Sequence, residues 1–508
     1  METYGSWVPV WAVACSLAAS GMILASSRRP NLREFWTLSA AGVKFALILT
    51  LVPEALAHRV AEARLFAIAP GIDLTLRADP LGVFFALVSS ALWIVTSCYS
   101  VGYMRGLSEH KQTRYFACFA VCLSSTVGIA FAANLLTFVI FYEMLTIATY
   151  PLVIHKETPE AVSAGRKYLA YTLTAGVVLL VATAWTYELT GTLEFRPGGF
   201  LGSETAPAAT CVWLFVLFMS GAAVKSALMP LHGWLPTAMI APTPVSALLH
   251  AVAVVKAGVF AVIRIVGFVF GPATLSALGL QTYLACLAGL TMILASVLAF
   301  HQDNLKRRLA YSTIGHLSYI VLGAALLTPA SLAGSLLHLA SHATMKITLF
   351  FCAGALHVQL HKEKISELDG VARQMPWTMG AFAVASLGLA GLPPLNGFVS
   401  KWYLGLGALQ AAQPLAFALF LLAGLLSAGY FLPILYRAFC RAPQPEAEPS
   451  QTPHQEGASG HDASAWITFP LLITAALSLI LGLFPNLLFH FWSLAHLVSD
   501  SILNGGSP

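Results

Sequence analysis

The chain has 508 residues, of which 58% are hydrophobic and only 10% are charged. Soluble domains carry about 25% charged residues, so this composition excludes an ordinary water-soluble fold. The net charge of +5 arises from basic residues concentrated in a few loops and does not indicate nucleic-acid binding. Apolar stretches of about 18 residues or more recur along the whole chain, which predicts an all-α polytopic membrane protein.

The apolar stretches predict about fourteen membrane spans. They begin near residues 7, 35, 80, 114, 133, 167, 208, 245, 278, 309, 329, 378, 411 and 465. We expect the first to be a span and not a cleaved signal, because no basic segment precedes it and Arg28 and Arg29 follow it. Loops after odd-numbered spans hold seventeen Lys and Arg, against four in the others. Cytoplasmic loops are enriched in such residues, so both termini are expected outside, in an inner (plasma) membrane.

The predicted organisation has five parts. They are the N-terminal spans 1–3 (1–105), a first repeat of spans 4–8 (106–270), a second repeat of spans 9–13 (271–440), a loop (441–464), and span 14 with the C-terminus (465–508). The loop is rich in Pro, Glu, Gln and Ser, which cannot build a core, and it is expected to be flexible and cytoplasmic. The eight cysteines form no CxxC or zinc spacing, so no metal or cofactor is predicted.

Ionisable residues lie inside several predicted spans. They are Lys44, Glu143, Lys225, Lys256, Arg264, Lys346 and Lys401. Arg264 lies near a span end and is expected to snorkel towards water. Each of the others costs about 2.5–3.5 kcal/mol on insertion scales, so they must pair with one another or line water. Interhelical glue is the simpler explanation for one such charge, whereas the whole set favours an ion pathway.

Histidines accompany these charges. His338, His342 and Lys346 follow at intervals of four residues, which places them along one helix face at about 6 Å steps. Imidazole titrates near neutral pH, and burial makes a lysine easier to deprotonate, so this stripe is suited to passing protons. His250 and Lys256 are six residues apart and must find partners on different sides, and His316 is a further intramembrane histidine.

Two similar segments interrupt spans 7 and 12. They are PLHGW (230–234) and PLNGF (394–398). Proline has no N–H. Pro393 and Pro394 therefore leave the carbonyls of Leu389 and Ala390 without helical partners. Unpaired backbone at membrane depth is tolerated only inside protein or beside water. The interruptions lie beside two of the intramembrane lysines, Lys225 and Lys401. A broken helix beside a buried charge is typical of transporter ion sites.

The two interruptions belong to a longer internal match. SAGRK (163–167) precedes the first as HATMK (342–346) precedes the second, one span earlier in each case. Matching units are five spans apart, and an odd offset reverses direction through the membrane. We therefore predict two inverted five-helix repeats with broken helices 7 and 12, in which Glu143 corresponds by position to His316.

Five segments together resemble the antiporter-like proton-translocating membrane subunits. They are FYEMLTIATYPLV (141–153), VKSALMPLHGWLPTAMIAPTPVSALLHAVAVVKAGV (224–259), NLKRRLAYSTIGHLSYI (304–320), LHLASHATMK (337–346) and GLAGLPPLNGFVSKW (388–402). That family includes Mrp-type cation/proton antiporter subunits and related subunits of complex I and membrane-bound hydrogenases. The resemblance covers roughly residues 75–440 and implies a place in a multisubunit complex that moves protons and Na⁺.

The resemblance also implies roles for individual residues. The implied site residues are Glu143, Lys225, His250, Lys256, His338, His342, Lys346 and Lys401. Glu143 would pair with Lys225 and keep it protonated. Lysine at 401, where some complex I subunits carry glutamate, and an end soon after span 14 favour a D-type antiporter subunit. The alternatives are a proton-pumping subunit of complex I or a hydrogenase, and a purely structural subunit.

Overall fold

The computed structural model describes residues 1–202, 204–443 and 462–505. Its helices, in chain order, are α1 (Val8–Ala25), α2 (Pro30–Leu56), α3 (Pro80–Gly106), α4 (Gln112–Phe131), α5 (Leu135–Val153), α6 (Pro159–Thr190), α7 (Ala208–Lys225), α8 (Trp234–Thr237), α9 (Thr243–Ala247), α10 (Val254–Arg264), α11 (Gly271–Ala277), α12 (Leu280–Phe300), α13 (Leu305–Ala325), α14 (Pro329–Leu360), α15 (Val371–Gln374), α16 (Pro376–Ala390), α17 (Asn396–Gln410), α18 (Pro414–Cys440), α19 (Ala465–Leu483) and α20 (Phe491–Leu503). Short π-helical stretches, Leu248–Val252 and Ile265–Phe270, flank α10.

The helical, multi-pass architecture predicted from the sequence is confirmed. Twelve helical segments in the described part of the chain are long and apolar enough to cross a membrane. The two other predicted spans correspond to α13, which is helical but more polar, and to the interrupted pair α16 and α17. The number fourteen therefore stays a prediction. Most of the 441–464 loop, residues 444–461, lies outside the described residues.

A small sheet, which was not predicted from the sequence, lies outside the helical bundle. It contains β1 (Glu2–Gly5), β2 (Arg59–Ala69) and β3 (Ile72–Ala78), with β1 parallel and β3 antiparallel to β2. The chain is so apolar that the alternation of polar and apolar residues in β2 is hard to distinguish from the membrane spans on either side. Strand β1 precedes α1, and the β2–β3 hairpin connects α2 to α3. The sheet therefore joins the N-terminal segment to the α2–α3 connection at one end of the bundle.

The helix starts repeat along the chain at a constant interval. Asn134 caps α5 and Asn304 caps α13, each accepting a backbone N–H three residues later. Thr158 caps α6 and Thr328 caps α14 in the same way. The differences 304 minus 134 and 328 minus 158 both equal 170. Helices α6 and α14 each have 32 residues.

Backbone contacts outside the helices follow the same interval. The N–H of Leu135 donates to the carbonyl of Leu193 at 3.0 Å, and the N–H of Leu305 donates to the carbonyl of Glu363 at 2.9 Å. Since α5 and α13 are five predicted spans apart, the two contacts belong to opposite ends of the bundle. This repetition supports the predicted inverted repeats, whose boundaries remain a prediction.

The interval of 170 residues disagrees with two residue correspondences that the sequence predicted between the repeats. It does not match Glu143 with His316. It matches Lys346 with Gly176 and not with Lys167. Lys167 is exposed near the start of α6, whereas Lys346 is fully buried in the middle of α14. The short SAGRK/HATMK match is therefore out of register with the helices that contain it.

Arg264 does not snorkel towards water, contrary to the sequence prediction. It is 1% exposed, and its guanidinium binds both carboxylate oxygens of Asp79, which caps α3. The guanidinium carbon also lies 4.7 Å from the ring centre of Phe268. Two-point binding to a carboxylate suits the planar guanidinium fork, so this residue joins α10 to α3.

Candidate proton pathway

Glu143 lies in α5 on the side of the helix that is least covered by the chain. It is half-buried, and Ile140 and Ile147 on the same side are 38% and 64% exposed. Across the helix interface it packs against Gly176 of α6, where an added Cβ would overlap the Glu143 carboxylate. One carboxylate oxygen, Oε1, has no hydrogen-bond partner among the described residues.

Lys225 is the last residue of α7 and is fully buried. Its ammonium nitrogen donates to the carbonyl oxygen of Tyr142 at 2.5 Å and lies 3.4 Å from the centre of that ring. Among the described ion pairs there is none between Lys225 and Glu143, so the direct pair implied by the resemblance is not formed. The lysine instead contacts the residue that precedes Glu143 in α5.

The chain interrupts its helix directly after Lys225, near the first predicted break. The indole N–H of Trp234 donates to the carbonyl of Val224 at 2.7 Å and so satisfies one carbonyl at the end of α7. Gly258 of α10 packs against the backbone of Lys225 and Ser226, leaving no room for a Cβ. This close approach brings the helix that carries Lys256 against the break.

Helical structure is also interrupted near the second predicted break. Helix α16 ends at Ala390 and α17 begins at Asn396. The Lys401 ammonium donates to the carbonyl oxygens of Leu389 at 2.6 Å and Ala390 at 3.0 Å. These are the carbonyls that the prolines leave without helical partners, so the lysine replaces the missing N–H groups.

A hydrogen bond between two buried side chains links the two predicted repeats. Lys256 Nζ lies 2.8 Å from His342 Nδ1, and both residues are 0% exposed. The lysine comes from α10, directly after the π-helical stretch, and the histidine comes from the middle of α14. The two residues are 86 positions apart along the chain, so no spacing within one helix specifies this contact.

Two further histidines, His316 and His338, lie next to His342. His316 Nδ1 lies 3.2 Å from His338 Nε2, and His338 Nδ1 lies 2.9 Å from the hydroxyl of Ser400. The rings of His316 and His342 are 5.5 Å apart, and the Nε2 atoms of both have no partner among the described residues. Ser400 is adjacent to Lys401. Apart from the gap between His316 and His342, buried polar atoms therefore connect Lys256 to the second break.

Among the described residues, no hydrogen bond joins Lys346 or His250 to this series. Lys346 donates to the hydroxyl of Ser312 and to the carbonyl of Leu309 at 3.1 Å, so it faces α13. His250 stacks on Phe350 at 4.7 Å, and neither of its ring nitrogens has a partner among the described residues.

Three polar residues of this region are missing from the site predicted from the sequence. They are His316, Ser400 and Ser312. His316 was noticed as an intramembrane histidine, and its buried position was a signal for including it. The two serines carried no such signal, because serine is common in membrane helices and only the folded chain brings these hydroxyls to a histidine and a lysine.

Comparisons with known proteins identify the family of the chain. Residues 132–427 match the family described as NADH:quinone oxidoreductase/Mrp antiporter, transmembrane. The chain is 33% identical to the N subunit of the NADH-quinone oxidoreductase of Desulforudis audaxviator, over 82% of each chain. It is 27% identical to the D-type subunit of the Na(+)/H(+) antiporter of Alkalihalophilus pseudofirmus, over 85% of this chain and 84% of that one. It is 31% identical to hydrogenase-4 component B of Escherichia coli, over 73% of this chain and 58% of that one.

The fold is also similar to that of chains in solved structures. A chain of the Mrp complex from Dietzia sp. superposes with a TM-score of 0.86 at 23% identity, over 98% of this chain and 97% of that one. A chain of an archaeal membrane-bound sulfane sulfur reductase superposes with a TM-score of 0.84 at 23% identity, over 98% of each chain. With the family match covering more than half of its length, the chain belongs to the NADH:quinone oxidoreductase/Mrp antiporter family of multi-pass membrane proteins.

Proposed function

We propose that this chain is the proton-translocating subunit of a multisubunit monovalent cation (Na⁺)/proton antiporter of Mrp type. The observation that carries the proposal is the series of buried groups from Lys256 through His342, His316 and His338 to Ser400, with hydrogen bonds of 2.8, 3.2 and 2.9 Å. Purely structural charges need no such series of neighbouring groups. The family membership supports ion transport as the role of this series.

The chemistry of the series suits proton transfer. Neutral imidazole has one nitrogen that accepts and one that donates, so it can take a proton on one side and release it on the other. His338 has a partner on each nitrogen, His316 and Ser400. The rings of His316 and His342 are 5.5 Å apart, and their Nε2 atoms have no partner among the described residues. A water molecule or a ring rotation would carry the proton across this one step. A proton on Lys256 can thus reach the side of Lys401.

Glu143 supports the multisubunit part of the proposal. A half-buried carboxylate beside the exposed side chains of Ile140 and Ile147 would face lipid if the chain stood alone. A charge facing lipid costs several kcal/mol, about 2.5–3.5 on insertion scales. A neighbouring membrane subunit against this side of α5 would remove that cost and complete the surroundings of Glu143.

The membrane and the orientation follow from the basic loops. The bacterial relatives and the excess of Lys and Arg in the odd-numbered loops favour the plasma membrane, with the odd loops in the cytoplasm and both termini outside. Protease added to intact cells should then spare the 441–464 loop, and protease added to everted vesicles should cut it. Cleavage from the outer side would reverse the orientation.

A second candidate is an antiporter-like proton-pumping subunit of a complex I-type oxidoreductase or a hydrogenase. The 33% identity to an oxidoreductase subunit, against 27% to an antiporter subunit, keeps this candidate open. The two candidates differ in the partners that copurify with the tagged chain from its native membrane. Small antiporter subunits would support the first candidate, and iron–sulfur or nickel–iron subunits would support the second.

Replacement of Glu143 tests proton translocation itself. Glu143→Ala should abolish proton flux in everted vesicles while the chain still inserts and assembles, and Glu143→Asp should keep partial activity. A wild-type flux in the alanine variant would contradict a role for this carboxylate. If Lys256→Ala also kept wild-type flux, the chain would be a structural subunit.

A further inference from the structure

We propose that the end of α5 and the loop between α3 and α4 form a binding site for a first-row transition-metal ion of the Zn²⁺ class. The ligands are the carboxylate of Glu109 and the imidazoles of His110 and His155. None of them belongs to the proton pathway described above. The motif was invisible in the sequence, because forty-odd residues separate the loop from His155.

The three ligand atoms already converge. Glu109 Oε2 lies 3.9 Å from His110 Nδ1 and 3.7 Å from His155 Nε2, and all three atoms are within 4.8 Å of one another. Tetrahedral zinc with bonds of about 2.0–2.1 Å needs ligand atoms roughly 3.3–3.5 Å apart. The contraction required is small, and His110 is exposed on a loop where its side chain can make it.

His155 supplies an observation independent of this clustering. Its side chain is 0% exposed, yet neither ring nitrogen has a hydrogen-bond partner among the described residues. Buried polar groups are nearly always satisfied, so an imidazole of this kind calls for an explanation such as a missing ion. Its Nε2 faces Glu109, which is where a shared ion would lie.

The backbone around the ligands is held in place. The N–H of Glu109 donates to the carbonyl of Met104 at 2.9 Å, and the amide of Gln112 donates to the carbonyl of Glu109 at 3.1 Å. Arg114 reaches the carbonyl of His155 at 3.4 Å. Outer contacts of this kind orient metal ligands.

Glu157 offsets part of the positive charge near the ligands. Its carboxylate pairs with Arg114 at 2.5 Å and with Lys111, so it balances one of these two cations. Glu109 Oε2 lies near the ring nitrogens of both histidines, so this carboxylate supplies negative charge where the ion would bind.

The ligand types decide the class of ion. Two imidazoles and one carboxylate suit zinc, cobalt or nickel, whereas Mg²⁺ and Ca²⁺ prefer oxygen ligands alone. Three protein ligands leave a fourth position open to water. A bound ion would fasten the α3–α4 loop to the end of α5, the helix that carries Glu143.

The test is metal binding to the full-length chain purified in detergent, measured by calorimetry with Zn²⁺ alone and with Mg²⁺ as the comparison ion. We expect one Zn²⁺ per chain and no comparable uptake of Mg²⁺. Glu109→Gln, His110→Asn and His155→Asn should each weaken Zn²⁺ binding by more than the roughly 10–100-fold that loss of an outer partner causes. The exposed His110 carries little risk of misfolding, so His110→Asn keeps the test valid if His155→Asn does not fold.

A matched control is His301→Asn. His301 is an exposed histidine that bonds to the carbonyl of Val297 in its own helix, and its replacement should leave Zn²⁺ binding unchanged. Hydrogen exchange provides a second readout, since Zn²⁺ should slow amide exchange in residues 107–111 of the wild type only. The proposal is overturned if the wild type binds no Zn²⁺ or if the three ligand variants bind it as the wild type does. A further variant, His357→Asn, removes a separate His–Glu pair. Loss of Zn²⁺ binding in that variant instead of in the ligand variants would also overturn the proposal.

Discussion

Replacing His342 by alanine removes the hydrogen-bond partner that Lys256 has in the other predicted repeat. The bond is 2.8 Å long and both side chains are 0% exposed, so alanine leaves the Lys256 amine without the buried group that it contacts. We expect slower proton flux and a pH optimum moved to lower pH, without complete loss. The variant should still insert, because the imidazole makes no bond to the backbone.

The size of the effect follows from this one bond. A hydrogen bond to a charged group contributes about 1.5–3 kcal/mol. Since about 1.4 kcal/mol corresponds to a factor of ten, flux at the wild-type pH optimum should fall by about 10–100-fold. The ammonium form of Lys256 loses more than the neutral amine does when its acceptor is removed. The pH optimum of the flux should therefore move down.

Cation-driven proton flux in everted vesicles, measured against pH, tests this reasoning. His342→Gln separates the two roles of the imidazole, because an amide oxygen can accept from Lys256 but an amide cannot relay a proton. Its pH optimum should stay near that of the wild type while its flux remains low. His357→Asn, near the end of the same helix, is the control. Wild-type flux and pH optimum in His342→Ala would refute the relay through this histidine.

Three further changes test other contacts. Lys346→Arg should stop flux as fully as Lys346→Ala, because guanidinium does not release its proton. Gly176→Ala should reduce flux without loss of protein from the membrane, since the added Cβ meets the carboxylate of Glu143. Asp79→Ala should lower stability by about 3–5 kcal/mol, read as a lower melting temperature in detergent, because it leaves the buried Arg264 without its partner.

Each of these changes has an outcome that would contradict it. If Lys346→Arg ran at the wild-type rate, Lys346 would be a fixed charge. Gly380→Ala, where nothing lies within 4 Å of the added Cβ, is the control for Gly176→Ala, and equal flux in the two would remove the argument from packing. An unchanged melting temperature for Asp79→Ala would mean that Arg264 finds another partner.

Local chemistry explains which parts of the pathway could be predicted. A proline without an N–H leaves a definite carbonyl unpaired, so the second break and the carbonyls of Leu389 and Ala390 could be named from the sequence alone. The bonds of Lys401 to these two carbonyls then agree with that prediction. Spacing along a helix was less reliable. At 3.6 residues per turn, Lys346 is rotated by about 80° from His338, and it bonds to Leu309 and Ser312 instead of to a histidine.

Contacts between distant segments could not be predicted. The bonds from His338 to His316 and to Ser400 cross 22 and 62 positions of sequence, and no periodicity within one helix specifies them. The same holds for Glu143 and Lys225, which the resemblance paired although the lysine bonds to the Tyr142 carbonyl instead. What the sequence lacks is the rotation of each helix about its axis, which the packing of whole helices decides.

The bonds of the lysines show how a group that supports the backbone can also carry a proton. An ammonium group has three N–H donors, and the neutral amine keeps two. Lys401 donates to two carbonyls, and Lys346 donates to one hydroxyl and one carbonyl. Either lysine can therefore release one proton and still satisfy both of these acceptors. An arginine in the same place could hold the acceptors but would not give up its proton, so lysine is the residue that makes these backbone contacts compatible with proton transfer.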